Sequence, residues 1–426
     1  MLPFPVGTDD IKDDPVHILP EHKRRHIAVF GKSGVGKTTL LHNMIVWDIY
    51  HGLGVTVLDP HGSLVNSVLD NIPRRRTNNV IVFRPSDPEH VLGLNLLEPV
   101  PEAQKPLLVS ALISIFKTLW AESWGPRSEY ILRGATFALL AQREPVSLLS
   151  LMSFFADDGY RQRIRDHVTD PATQSFLATY DDIWNARFRD EATSPIINKL
   201  DAFVSNPLLR AVIGQTRSSF DFRRVMDSGQ ILLCDLSKGA LGEDVSSLLG
   251  SLIVTKLSLA ALSREHVAED DRRLHVAFAD EVQNFIHGVD FPTVLAEARK
   301  YALALTIATQ TLTQLPPNTR SAVLGNCGTY ISYRVSGEDA GVLAEEFATT
   351  LPGSVIQELS DYKAYVRTML TDAEGVGKPK EARPVRAHPA VDGPGRTSRE
   401  RVVKESLRRF GRSRKDVEAW MRRFLA

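Results

Sequence analysis

IAVFGKSGVGKTTLL, residues 27–41, is the stretch on which the reading of this chain turns. A short apolar run, Ile27–Phe30, enters a glycine-rich turn, and a helical pattern from Thr38 to about Tyr50 leaves it. Strand, turn and helix in that order are the setting in which GKSGVGKT, residues 31–38, carries weight as a match to G-x-x-x-x-G-K-[ST]. Gly31, Gly34 and Gly36 let the backbone curl so that successive N–H groups point inward. The loop Gly31, Lys32, Ser33, Gly34, Val35, Gly36, Lys37, Thr38 and Thr39 is therefore expected to surround phosphates, helped by the partial positive charge of the helix N-terminus. Lys37 would supply a fixed cation to the β- and γ-phosphates, and Thr38 a hydroxyl to Mg²⁺. The expected ligand is ATP with Mg²⁺. A glycine turn that matched by chance would lack the two flanks.

Working outward, Val55–Leu58, Val80–Phe83, Gln230–Leu236, Leu274–Ala279, Leu303–Thr309 and Tyr330–Val335 read as further buried strands, being short, apolar and often β-branched. Helical patterns lie between them at Ser246–Ser263 and Pro292–Tyr301. Alternating strands and helices predict a parallel sheet covered on both faces. From Glu102 to Met226 the texture changes. Apolar residues recur at helical spacing in Leu107–Leu119, Tyr130–Leu140 and Ile196–Val204, with breakers at Gly125-Pro126, Pro145, Pro171, Pro195 and Pro207. The expected organisation is an irregular lead-in over 1–25, one α/β domain built from 26–101 and 227–370, and an all-α domain inserted at 102–226. A flexible linker, rich in proline and glycine, would follow at 371–398, with basic C-terminal helices at 399–426.

A phosphate cradle alone does not separate a kinase from a GTPase or a motor. LHVAFADEVQNF, residues 274–285, is an apolar strand ending in two adjacent carboxylates. Asp280 falls where a strand end faces the ligand crevice and would hold Mg²⁺ through water. Glu281 can take a proton from the attacking water. In isolation such a pair also reads as a capped strand end; beside the cradle, catalysis is the stronger reading. The next strand ends in Thr309-Gln310, and Gln310 could hold that water or sense the γ-phosphate. Arg299 and Lys300 end a helical pattern, where cations are favoured anyway, but a guanidinium there could also reach across a subunit boundary. A guanine-specific N-K-x-D loop is not evident, since Asn198-Lys199 lies on a helical pattern within the insertion.

Composition sets outer limits. The chain has 426 residues, 43% hydrophobic and 24% charged, which is globular rather than disordered or fibrous. Two cysteines, Cys234 and Cys327, are too few for a disulfide framework or a zinc site and suit a reducing cytosol. No stretch is expected to approach the ~20 apolar residues that cross a bilayer, so the predicted location is cytoplasmic. The formal net charge is zero, yet residues 378–426 carry 15 Lys and Arg against 6 Asp and Glu. Such a tail is either a nucleic-acid contact or a solvated surface helix.

Beyond the cradle, LDPHGSL (58–64), GLNLLEP (93–99), WGPR (124–127), Asp280-Glu281, EARKYAL (297–303), ATQTLTQL (308–315) and GNCGTYISYRVSGEDA (325–340) occur in an order that resembles one family. It is that of the type IV coupling proteins and their relatives in the HerA/FtsK group of ring-forming DNA translocases, and the likeness covers about residues 20–370. The resemblance implies a RecA-like P-loop NTPase domain with a mostly parallel central sheet and an inserted all-α domain. It further implies a homo-hexameric ring with ATP at subunit interfaces and DNA, single- or double-stranded, in the channel. Lys37 and Thr38 match the family's nucleotide loop, Asp280 and Glu281 its magnesium and base positions, Gln310 its sensing glutamine, and Arg299 its trans-acting arginine. Arg334 falls in a second arginine-bearing segment, and Asp59 near the phosphate end of the site. No counterpart of the coupling proteins' N-terminal transmembrane helices or of HerA's β-barrel is expected in these residues. The expected function is an ATP-driven DNA motor in conjugative or mobile-element transfer, with a relaxase or secretion-system component as partner. The alternatives are a protein-secretion or pilus-assembly ATPase, and the ATPase subunit of a phage-defence complex.

Overall fold

The computed structural model describes residues 2–120, 124–347, 352–369 and 381–425. Its strands are β1 (Phe4–Asp9), β2 (Pro15–Ile18), β3 (Ile27–Phe30), β4 (Gly54–Asp59), β5 (Val80–Phe83), β6 (His90–Val91) and β7 (Ile231–Asp235). They continue with β8 (His275–Ala279), β9 (Leu303–Thr309), β10 (Thr329–Ser332), β11 (Lys363–Thr368), β12 (Arg383–Ala387) and β13 (Arg412–Ser413). One sheet runs β2-β1-β12-β11-β10-β3-β9-β8-β4-β7-β5, and β6 pairs with β13 in a short ribbon. From β10 to β5 all pairings are parallel; from β10 to β2 they are antiparallel.

The continuous apolar runs of the parallel strands have a simple cause: each side chain faces one of two cores. Ile27, Val29, Val55, Val57, Val80, Val82, Ile231 and Leu233 point to one face. Ala28, Phe30, Leu58, Ile81, Phe83, Leu232 and Cys234 point to the other. The first face is covered by helices Lys37–Tyr50 and Ser63–Leu69. The second is covered by helices Glu243–Leu262 and Phe291–Glu297 and by the helical segment between β6 and β7. That segment contains no strand among its described residues, and its apolar side chains merge with the sheet's core rather than forming a separate one.

Several expectations need correction. Residues 1–25 are not an irregular lead-in. Phe4 and Val6 on β1 and Val16 and Ile18 on β2 are buried, and the two strands form a hairpin that extends the sheet. Residues 381–398 are not a free linker either. β12 fills the gap between β1 and β11, with Gly7 opposite Ala387 and Lys363 opposite Arg386. The segment then crosses the helix Lys37–Tyr50, where Asn43 Nδ2 donates to the Pro389 carbonyl (2.9 Å) and Tyr50 Oη to that of Pro394 (2.7 Å). The rest of the expected linker, residues 371–380, lies outside the described residues. Pro195, expected as a breaker, sits inside the helix Ala186–Ser205, which also holds Asn198-Lys199. Finally, helix Glu243–Leu262 is apolar and long enough to cross a membrane by length and composition, contrary to expectation. Here it is a core helix, buried along most of its length.

The C-terminal helices Arg399–Phe410 and Arg414–Leu425 close the β5 edge. The Val82 N–H, which an edge strand would otherwise leave open, donates to Ser406 Oγ (2.8 Å). Arg414 donates to the carbonyls of Pro85 (2.7 Å) and Asp87 (2.8 Å), fixing the second helix. Beneath the P-loop helix, Lys23 and Asp48 form a fully buried ion pair.

Candidate active site

Sheet order assembles the site. β3 delivers the glycine loop, β8 delivers Asp280 and Glu281, and β9, which delivers Gln310, lies between them. Two interstrand spacings separate the loop from the carboxylates, ~10 Å of sheet, with the middle strand's tip inside that gap.

The loop is braced from both sides. The Gly31 N–H donates to the Thr309 carbonyl of β9 (3.3 Å), and the Lys32 N–H to the Arg334 carbonyl beyond β10 (2.8 Å). Gly36, the residue before the helix, has φ 117°, and a Cβ there would come within 3.0 Å of the Tyr362 ring. Only glycine suits both constraints. Lys32, Ser33 and Gly34 are exposed at the tip, Val35 is buried beneath, and Thr39 is half-buried at the helix start. Lys37 is buried and folds back, its Nζ donating to the carbonyls of Gly31 (2.6 Å) and Lys32 (3.0 Å). Burial lowers its pKa, while the charges of Glu281 and Asp280 oppose that shift.

Thr38 Oγ1 donates to Asp280 Oδ2 (3.1 Å), so residues 242 positions apart meet. Burial, then the Glu281 carboxylate, pushes Asp280 up to about 6; the Thr38 bond and Lys37 act the other way. Its Oδ1 is buried without a partner. An orphaned carboxylate oxygen beside a threonine hydroxyl is the donor set of a hard cation, and these two residues fit Mg²⁺. A Mg²⁺ held there would neutralise charge on the phosphates.

Glu281 has φ 50° and ψ 59°, a left-handed conformation uncommon outside glycine. Its Oε1 accepts from Gln310 Nε2 (2.8 Å) and its Oε2 from Gln283 Nε2 (2.6 Å). Asn284 Nδ2 donates to the Glu281 carbonyl (3.0 Å). Gln283 and Asn284 are not among the expected site residues; paired amides one residue past a carboxylate at a strand tip were the available signal.

Asp59 and Arg334 border the site, Asp59 through its charge on Asp280 and Arg334 through its carbonyl, which takes the Lys32 N–H. Asp59 is buried, and its carboxylate accepts from the N–H groups of His61 (2.8 Å) and Val65 (2.9 Å), ordering the turn after β4. Arg334 is tied to the Asp361 carboxylate (2.7 Å) and the Leu359 carbonyl (3.0 Å). Arg299 is not brought to the site. It is exposed on the turn Ala298–Tyr301 that precedes β9, a strand's length or ~20 Å from Gln310. Below that turn, His26 accepts from the Leu305 N–H at Nδ1 (2.9 Å) and meets the Leu295 carbonyl at Nε2 (2.9 Å). Burial pulls this imidazole down to about 4, and nearby Arg299 adds to the shift. Lys300 pairs with Glu297 (2.7 Å).

Comparison with solved structures gives the same architecture. The bacterial conjugative coupling protein TrwB superposes with a TM-score of 0.63 at 16% identity, over 90% of this chain and 89% of that one. TrwB in complex with ADP and Mg²⁺ gives 0.61 at 15% identity, over 90% of each chain. VirB4 of Thermoanaerobacter pseudethanolicus gives 0.56 at 12% identity, over 91% of this chain and 96% of that one. These likenesses establish a RecA-like fold. No curated protein matches the sequence. Residues 13–255 match the family model described as the central domain of helicase HerA, more than half of the chain, so this protein belongs to the HerA family of P-loop ATPases.

Proposed function

We propose that this chain is a DNA motor of the coupling-protein type, hydrolysing ATP at the subunit interfaces of a homo-hexameric ring in the cytoplasm. The observation that carries the catalytic reading is Glu281, held by amide donors from its own turn and from β9, on the strand-end face that carries Lys37. In this reading the loop N–H groups and Lys37 bind the phosphates, and Thr38 and Asp280 hold Mg²⁺. Glu281 accepts the proton of the attacking water, and Gln310 keeps its carboxylate aimed. Arg299 is too far along β9 to reach its own chain's triphosphate, and its exposure favours action on a neighbour's.

Cargo assignment rests on the HerA family and on the fold shared with a plasmid coupling protein. The helical region 102–226 would recruit DNA or a relaxase-like partner. DNA should stimulate ATP turnover, with binding that weakens steeply as salt rises. The chain should also displace the third strand of a triplex in an ATP-dependent way. Turnover indifferent to DNA, with no DNA binding at low salt, would instead favour protein secretion, the reading that the VirB4-like fold keeps open.

A further inference from the structure

The groups already placed tell the two ends of a bound nucleotide apart. Glu281 and Gln310 lie on the β8–β9 side of the loop. A γ-phosphate facing them leaves the nucleoside to extend toward the opposite side, where β10 adjoins β3 and β11 adjoins β10. Tyr362 stands there. Its N–H donates to the Val35 carbonyl of the loop (2.9 Å), and its own carbonyl accepts from the Ala387 N–H (2.9 Å). Its ring lies against Gly36, with Cδ1 3.0 Å from the position a Cβ would take.

Two features of Tyr362 are individually unfavourable. The residue has φ 62°, which a bulky side chain rarely adopts, and its side chain is 49% exposed. Support of Gly36 does not require that exposure, because the buried ring of Tyr333 already packs against the same glycine, its Cε1 3.3 Å from where a Cβ would lie. A half-exposed aromatic face pinned by two backbone hydrogen bonds beside a phosphate cradle has the form of a stacking surface. We propose that Tyr362 is the platform on which the purine base of the bound nucleotide stacks, an inference that rests on residues 31–39 being the nucleotide cradle. Stacking uses the face of the base and not its edges, so it holds adenine and guanine alike.

The test compares full-length wild type, Tyr362→Ala and Tyr362→Phe by competitive displacement of a fluorescent ATP analogue with Mg²⁺. The competitors are ATP, GTP and inorganic tripolyphosphate, which fills the cradle but has no base. Tyr362→Ala should weaken ATP and GTP by roughly tenfold or more, given the usual size of a base–aromatic stack. Its tripolyphosphate affinity should stay near wild type, and Tyr362→Phe should keep all three. An equal loss for ATP and tripolyphosphate would make the ring a support of the loop and overturn the proposal, as would an unchanged ratio of the two. If wild type binds neither, the cradle assignment itself falls, and the platform with it.

Discussion

Glu281→Gln separates chemistry from binding, because the substitution keeps the shape of the side chain. Both carboxylate oxygens accept from amide nitrogens, those of Gln310 (2.8 Å) and Gln283 (2.6 Å). In the variant one terminus becomes an NH₂ group and would face another donor. Gln283 can resolve the clash by turning its amide, since its Oε1 is buried with no partner. The turn should therefore hold, with a stability change of about 1 kcal/mol, the size of one net hydrogen bond. What is removed is a proton acceptor, and a positioned general base contributes on the order of 10²–10⁴ in rate. That factor raises the barrier by about 3–5 kcal/mol. ATP affinity should be equal or higher, because a negative charge has been taken from a site that receives a polyanion. Single-turnover rapid quench reads the rate, and equilibrium titration reads the affinity. A fall of less than about tenfold would refute the base assignment; a loss of binding matching the loss of rate would show that the carboxylate shapes the cradle instead.

Gln310→Ala leaves Glu281 with Gln283 as its remaining side-chain donor. One hydrogen bond to a charged group is worth about 1.5–3 kcal/mol, so kcat should fall about tenfold or more with KM for ATP little changed; an unaltered kcat in steady-state turnover would remove Gln310 from the mechanism. Asp280, pushed up to about 6 from an ordinary 3.8, keeps in the folded chain a proton that the unfolded chain has already released. This contribution to stability is complete below about pH 4 and lost as pH rises through about 6. Asp280→Asn should therefore stabilise the nucleotide-free protein at pH 7.5 by up to about 3 kcal/mol, and thermal melts showing the same gain at pH 4.5 would contradict that account. Asp48→Ala strands Lys23 in the core and should cost about 3–5 kcal/mol by chemical denaturation, whereas Lys23→Met with Asp48→Leu should recover most of it. Equal losses for the single and double replacements would mean that the pair's geometry, rather than its charge, holds that corner.

What could be read from the sequence was what local pattern encodes. Every parallel strand of the main sheet showed itself as a short apolar run because both of its faces are covered. The antiparallel half stayed hidden. In β1 and β2 the proline and aspartate content of the connecting turn obscured an alternation confined to Phe4, Val6, Val16 and Ile18. β12 is a strand because β1, almost the whole chain away, and β11 leave a slot between them, and no window of sequence around Arg383 contains that slot. The candidate site divides in the same way. Lys37 and Thr38 open the helix after the glycine loop, and Asp280, Glu281 and Gln310 follow strand ends, all positions that pattern could place. Gln283 and Tyr362 act through a backbone turn and a left-handed φ, which depend on neighbours brought in by the fold.

The electrostatics of the site bear on why Arg299 sits where it does. Three buried carboxylates, Asp59, Asp280 and Glu281, gather at the ends of β4 and β8, and the upward shift of Asp280 records its burial first and then the repulsion. Lys37 is the buried cation that faces them, and its own ammonium is spent on the carbonyls of Gly31 and Lys32. A triphosphate entering this environment meets a local excess of negative charge, which Mg²⁺ between Thr38 and Asp280 would relieve only in part. Arg299 is held at the far end of β9 by a turn that His26 anchors through Leu295 and Leu305. An exposed cation out of reach of its own site is what a ring would need if each subunit completes the next. Arg299→Ala should then stop hydrolysis without weakening ATP binding. Mixing it with Glu281→Gln should restore activity, because some interfaces regain both groups, and mixtures inactive at every ratio would leave the excess charge to be balanced within one chain.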